Sequence, residues 1–326
     1  MISVLPTPPW LRRFAKLVAF LTLFLIFAGA MVTSTGSGLA VPDWPLSYGM
    51  FLPPMVGGIL YETGHRLIAG SVGFLTVLLA ISLQLFEPKK FVRRLGWCSV
   101  GAVLLQGLLG GLTVLFLQPH ALSVAHAAVA EIFFCLNVSI AFFTSKTYVG
   151  RVLQPAPSSD LKPTFLPILI YAQILLGALV RHLGAGVSIP DFPLSNGKLI
   201  PEFTSGAIVA NFAHRTGALV VTIAILTIAT QCFRAKQFRG LAATLVALVG
   251  FQIYLGAKVV WDYAENKALY HSLVGQAAVH HASITSMHVM TGAATLAVSL
   301  LLVFRTSTTT SQVVSVPEAF AEEIAV

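Results

Sequence analysis

Charged side chains are scarce in this chain. Lys, Arg, Asp and Glu make up 10% of its 326 residues, against about a quarter in soluble domains. With 56% hydrophobic residues and a mean hydropathy of +0.84, the scarcity excludes an ordinary water-soluble globule. Acidic residues are the rarer sign, which leaves a net charge of +8. That excess does not imply nucleic acid, because the basic residues stand in short loops between apolar runs, as in membrane orientation, not in a patch or stripe. Cysteine is just as sparse. Cys98, Cys135 and Cys232 lie in or at the ends of predicted helices with no metal-ligand spacing. They imply no structural disulfide and read as small packing residues.

What is present in quantity is apolar sequence. About 20 apolar residues cross a bilayer, and the chain supplies eight such runs, near 17–35, 61–86, 95–117, 122–144, 163–185, 206–233, 240–261 and 276–304. The first resembles a secretory signal with a cleavage site at Ala28-Gly29-Ala30, but its place in an internal repeat argues that it is retained. Arg12, Arg13 and Lys16 precede it; Lys89, Lys90, Arg93 and Arg94 fill the second connection; Lys146, Arg151 and Lys162 the fourth; Arg234, Lys236 and Arg239 the sixth; Arg305 follows the last. The other side holds far fewer, Lys198, Lys258 and Lys267 in loops or at span ends. Positive loops stay cytoplasmic, so both termini are expected inside and the loops 36–60, 186–205 and 262–275 outside. The polar, acidic stretch 306–326 reads as a disordered cytoplasmic tail.

The chain contains itself twice. Val41-Pro42-Asp43-Trp44-Pro45-Leu46-Ser47-Tyr48-Gly49 recurs as Ile189-Pro190-Asp191-Phe192-Pro193-Leu194-Ser195-Asn196-Gly197. At the same offset Gly29, Val32, Gly36 and Gly38 match Gly177, Val180, Gly184 and Gly186. His65-Arg66 matches His214-Arg215, then Gln106, Gly110 and Val114 match Gln252, Gly256 and Val260, and His126 matches His288. Four spans per half return the chain to its starting side, so the halves share one orientation, as parallel repeats do. The expected fold is an all-α integral membrane protein of eight transmembrane helices, two tandem four-helix bundles related by a pseudo-twofold axis along the membrane normal.

Four of the nine histidines carry the repeat. His65 and His126 end two spans of the first half, and His214 and His288 two spans of the second, all at the outer side. Ionisable residues in membrane segments are costly and usually functional. Imidazoles facing each other across a bundle suit an axially ligated haem iron; interhelical hydrogen bonding is the alternative for any one of them. A bare zinc site wants three or four ligands, more than a pair supplies. His120 and His271 read as solvated, while His280 and His281 stand either near a haem edge or at a watery loop end.

The halves differ beside the histidines. Glu62, three residues before His65, shares its helix face, whereas the equivalent in the second half is Asn211. Glu62 is either a carboxyl favoured at a helix start or an acid/base group beside a haem. On the second reading the first half does chemistry and the second holds a permanent cofactor. Arg66 and Arg215 are placed either to pair with propionates or to snorkel. Glu131, a buried carboxylate by position, either orients a ligand or relays protons. Gly70, Gly73, Gly107, Gly110, Gly111 and Gly217 admit a flat macrocycle or a neighbouring helix. The Pro-Asp-aromatic-Pro-Leu loops read as lids over two pockets or as plain connections.

Thr35 to Gly49 (Thr-Gly-Ser-Gly-Leu-Ala-Val-Pro-Asp-Trp-Pro-Leu-Ser-Tyr-Gly), Glu62-x-x-His65-Arg66 and the duplicated histidines together resemble the haem A synthase family, over nearly the whole chain. The resemblance implies oxidation of the C8 methyl of haem O to a formyl group, by successive hydroxylation to a gem-diol that loses water, for cytochrome oxidase. It implies an N-terminal bundle, 1–150, holding substrate haem O between His65 and His126, with Glu62 catalytic and Arg66 toward a substrate propionate. It implies a C-terminal bundle, 151–305, holding haem b between His214 and His288 with Arg215 nearby; the mechanism expected on that footing brings electrons to the substrate through that haem. Haem O synthase and oxidase assembly factors are the implied partners, in the cell membrane, with a homo-oligomer left open and no nucleic acid. Many members carry a cysteine pair where this chain has Val41 and Ser47, so thiol-based electron transfer there is excluded. A haem b electron carrier or quinol oxidoreductase explains the histidines but not the Glu62/Asn211 asymmetry, and a parallel-repeat transporter predicts polar residues at the midplane, where this chain has few.

Overall fold

The computed structural model describes residues 7–148, 163–265 and 276–307. The expectations for Arg151, Lys162, Lys267, His271 and for the tail beyond Ser307 lie outside the described residues. Within them run eight helices long and apolar enough to cross a membrane. They are α1 Pro9–Ser34, α2 Gly57–Phe86, α3 Lys90–Leu115, α4 His120–Phe143, α5 Phe165–His182, α6 Gly206–Arg234, α7 Arg239–Glu265 and α8 Gln276–Ser307. The protein is a multi-pass helical membrane protein.

The helices outrun the apolar runs at several ends, for a physical reason. Hydropathy stops at the first charge, but a helix continues wherever its backbone bonds are satisfied. The first span starts at Pro9 instead of residue 17 because Pro8 and Pro9 open it, where a missing N–H costs nothing, and Arg12, Arg13 and Lys16 are good helix formers. α7 continues to Glu265, which places Lys258 inside a helix, ion-paired with Asp262 one turn on. α5 instead ends early, at His182, because Gly184 turns left-handed at φ 63° and a short 3-10 turn, Ala185–Val187, follows.

Each set of four helices closes on itself. α1 packs on α2, α2 on α3, α3 on α4 and α4 back on α1; α5 to α8 repeat the ring. The rings meet along α1–α8, α4–α5 and α4–α8. Apolar clusters fill the ring ends away from the histidines: Leu11, Val18, Leu79, Leu83 and Ile140 in one, Ile170, Ile225, Leu245, Leu296 and Leu302 in the other. Lipid is as apolar as leucine, so such helices are held by packing and interhelical hydrogen bonds of about 0.6–2 kcal/mol each. Asn137 is one such tie, accepting from Ser99 Oγ at 3.0 Å and donating to Thr22 Oγ1 at 3.2 Å, so that it joins α1, α3 and α4. Away from the histidines the buried Glu87 carboxylate pairs with Lys89 at 2.6 Å and accepts from Thr7. Lys89, an orientation marker in the sequence, is therefore also a structural tie.

The seam between the rings is polar near the histidine end. Ser34 Oγ on α1 lies 2.8 Å from Thr285 Oγ1 and 3.0 Å from Ser286 Oγ on α8. Arg181 on α5 donates to Ser34 Oγ and to the Ala30 carbonyl at 2.6 Å. Tyr171 Oη donates to the Ala128 carbonyl at 3.2 Å, tying α5 to α4.

Candidate functional site

The second-half histidines face each other. The rings of His214 on α6 and His288 on α8 stand 6.4 Å apart between centroids, inclined by 71°. Two metal–nitrogen bonds of about 2 Å plus roughly 1 Å from each nitrogen to its ring centre span roughly 6 Å, so the gap fits one metal atom between two imidazoles. His65 on α2 and His126 on α4 hold the matching positions in the first ring. Among the described residues no three His, Cys, Asp or Glu side chains form a group that could hold a metal ion. The Nδ1 atoms of His65, His126 and His288 are buried without a hydrogen-bond partner, a cost of about 1–3 kcal/mol apiece that a functional site can carry.

Glycine makes room for all four rings, in matched fashion. A Cβ on Gly29 would stand 2.9 Å from His65 Cε1, and one on Gly177 2.9 Å from His214 Cε1. A Cβ on Gly110 would stand 3.4 Å from His126 Cε1, and one on Gly256 3.3 Å from His288 Cε1. The repeated glycines Gly29, Gly177, Gly110 and Gly256 are thus ring contacts. Of the other glycines singled out from the sequence, Gly111 packs under Trp44 and Gly217 beside Gln173, while Gly70 and Gly107 face open space. A haem-sized group fits this donor set: two imidazoles, each backed by a residue without a side chain.

Beside each pair an arginine fastens a loop. Arg66 Nη1 donates to the carbonyls of Asp43 and Leu46, both at 2.7 Å. Arg215 Nη1 donates to the equivalent carbonyls of Asp191 at 2.7 Å and Leu194 at 3.0 Å, and its Nη2 to Ile189 at 2.7 Å. Both guanidinium groups are therefore engaged on their own loops. Each loop is closed in the same way: Asp43 accepts from the amides of Tyr48 and Gly49, and Asp191 from those of Asn196 and Gly197. The N–H groups of Gly49 and Tyr48 hold the Asp43 carboxyl below its usual range. The loops share a cis Trp44-Pro45 and Phe192-Pro193 bond, and positive φ at Tyr48, Gly49, Asn196 and Gly197.

The asymmetry expected at Glu62 is physical. Glu62 Oε1 accepts from Arg66 at 2.6 Å and its Oε2 accepts from the Val41 N–H at 2.8 Å. Asn211 works the other way, donating Nδ2 to the carbonyls of Ala185 at 2.6 Å and Gly186 at 2.9 Å. Both residues are buried. One half has an anion one turn from Arg66 and His65; the other has a neutral amide that stitches its loop. Glu131 is buried on α4 with one oxygen unpartnered. His120 and His280 are exposed, and His281 is half-buried.

Sequence reading missed Gln173, Arg181 and Ser34. Gln173 hydrogen-bonds His214, and the other two tie the rings at the seam. Gln173 carried one available signal: a lone amide in an apolar run, where the first half has Leu25.

A family model described as cytochrome oxidase assembly protein matches residues 12–57 and 59–283. The heme A synthase of Shouchella clausii is 30% identical over 288 residues, 81% of this chain and 92% of the relative. That of Symbiobacterium thermophilum is 31% identical over 247 residues, covering 72% and 80% of the two chains. That of Halalkalibacterium halodurans is 30% identical over 277 residues, covering 81% and 92%. The match spans both rings and runs from α1 into α8, and with it the chain belongs to the haem A synthase family.

Proposed function

We propose that this protein is a haem A synthase: it oxidises the C8 methyl of haem O to a formyl group by successive hydroxylations, for cytochrome oxidase assembly. The observation that carries the proposal is the 6.4 Å gap between the His214 and His288 rings, with His65 and His126 at the matching positions of the first half. In this reading His214 and His288 hold a haem b and His65 and His126 hold the substrate haem O, inside the tandem bundles 1–150 and 151–305. A haem b at the second pair supplies one-electron redox capacity.

The chain's own residues do the rest. Glu62, the anionic member of the Glu62/Asn211 pair, moves protons at the substrate edge. Each hydroxylation replaces one hydrogen of the methyl group by hydroxyl, and the gem-diol that the second one gives loses water to leave the formyl group. Arg66 and Arg215 hold the loops 41–49 and 189–197 over their pockets, which excludes water, and the N–H groups not spent on the loops would pair with propionates. The apolar ring interiors and the surrounding lipid suit the farnesyl tail of haem O. The protein sits in the cell membrane with both termini cytoplasmic and the histidines toward the outer face, the halves related by an axis along the membrane normal. It exchanges haem with a haem O synthase and with oxidase assembly factors.

Pigment extraction and chromatography test the proposal. Cells making the wild type alongside haem O should accumulate haem A, and cells making His65→Ala should retain haem b but no haem A. Haem A in the His65→Ala strain, or haem b as the sole pigment of the wild type, overturns it.

A further inference from the structure

The two histidine pairs are not held alike. The Gln173 amide nitrogen lies 3.0 Å from His214 Nδ1 and donates to the His214 carbonyl at 2.8 Å. His65, in the matching place, has a buried Nδ1 with no partner. The offset that aligns Gly29 with Gly177 aligns Leu25 with Gln173, and the offset that aligns His65 with His214 aligns Ile68 with Gly217. The second difference follows from the first. A Cβ at position 217 would stand 2.1 Å from Gln173 Oε1, so the amide keeps this orientation only with glycine there. The first half carries two branched apolar side chains at these positions and offers no polar atom.

A histidine that binds metal is oriented by whatever holds its other nitrogen, and losing that partner weakens binding about 10- to 100-fold. A ring that binds iron through Nε2 carries its proton on Nδ1 and needs an acceptor there, which the Gln173 carboxamide supplies by turning its oxygen toward Nδ1. Rotation of an imidazole about χ2 is otherwise broad and soft. A held ring keeps its free nitrogen on the axis toward its partner histidine; an unheld ring can swing away and return.

We infer that Gln173, in space left by Gly217, is the positioning residue that makes the His214–His288 site retain its haem, whereas Leu25 and Ile68 leave His65 free to release one porphyrin and accept another. The inference rests on the proposed function, which needs one pocket that keeps its haem and one that turns it over. It goes beyond that reading by naming the device that separates the two.

Full-length protein, purified in detergent and loaded with haem, is mixed with excess apomyoglobin, and haem transfer is followed by the Soret shift. The wild type should lose haem in a fast and a slow phase. Gln173→Leu should accelerate the slow phase about 10- to 100-fold and broaden its low-spin electron paramagnetic resonance signal. The fold already accommodates leucine at the equivalent position, Leu25. Gln173→Glu keeps an acceptor for Nδ1 and should restore the slow phase while lowering that haem's midpoint potential. The double variant Leu25→Gln with Ile68→Gly should slow the fast phase. An unchanged slow phase in Gln173→Leu, or an unchanged fast phase in the double variant, overturns the inference and leaves the proposed function standing. A wild type that takes up haem at neither pair overturns the proposed function instead.

Discussion

Glu62 and Arg66 stand one helical turn apart on α2 with their charged atoms 2.6 Å apart, and the arginine reaches past the pair to two carbonyls of the loop 41–49. One ion pair thus joins the candidate catalytic carboxylate to the loop above it. Glu62→Gln keeps the size of the side chain and the loop contacts of Arg66. Haem content by absorbance should be unchanged, while haem A measured by extraction should fall at least tenfold. Full haem A in this variant removes the role assigned to Glu62.

Arg215→Met should loosen the second loop. Three loop carbonyls lose their charged donor, and hydrogen bonds to a charged group contribute about 1.5–3 kcal/mol each before neighbouring water replaces them. A net loss of about 2–4 kcal/mol is expected, read as a lower Tm of the purified protein. Arg215→Lys should recover only part of it, because one ammonium cannot span the three acceptors as a planar fork does.

Gly177→Val and Gly29→Val should each empty one pocket. A Cβ at either position meets an imidazole carbon at 2.9 Å, closer than real contacts allow, so the ring must turn off its partner. Resonance Raman spectra should show loss of the six-coordinate low-spin signal from the second pair in Gly177→Val and from the first in Gly29→Val. Equal loss from both pairs in either variant counts against separate pockets.

The Asp43 clip should depend on pH. Backbone N–H groups of Gly49 and Tyr48 hold its carboxyl below the ordinary value, so the folded pKa lies under the unfolded one. The stabilisation is then complete above the unfolded pKa, about 4, and is lost as pH falls through the folded value. Amide hydrogen exchange at Tyr48 and Gly49, corrected for intrinsic rates, should accelerate below that point, and Asp43→Asn should remove the pH dependence.

Arg181 and Ser34 give the seam between the rings its own prediction. Arg181→Met removes donors to the Ala30 carbonyl and Ser34 Oγ but touches neither histidine pair directly. Haem stoichiometry should persist while thermal unfolding separates into two transitions, one per ring. A single transition at the wild-type Tm counts against the seam as a coupling element.

How much of this was legible beforehand varies by residue. His65, His126, His214 and His288 were legible because each is ionisable in an apolar run and each has a copy. Glu62 against Asn211 was legible because the repeat supplies its own control. Gln173 was not singled out, since an amide in a membrane helix has many uses and only its distance from His214 gives it one. Arg66 and Arg215 were read toward propionates or as snorkelling; the structure turns their guanidinium groups to loop carbonyls, which is a matter of side-chain direction and invisible to spacing.

The sequence by itself determined the eight crossings, the duplication, the four histidines and the family, because span length and a repeated motif are local properties of the chain. Tertiary structure alone decided which ring faces which, that glycines back all four imidazoles, that a single amide holds His214 and none holds His65, and that Arg181 bridges the seam. Helices apolar on every side carry little periodic signal of how they are rotated. Only packing against neighbours sets that rotation, and with it the atoms that meet.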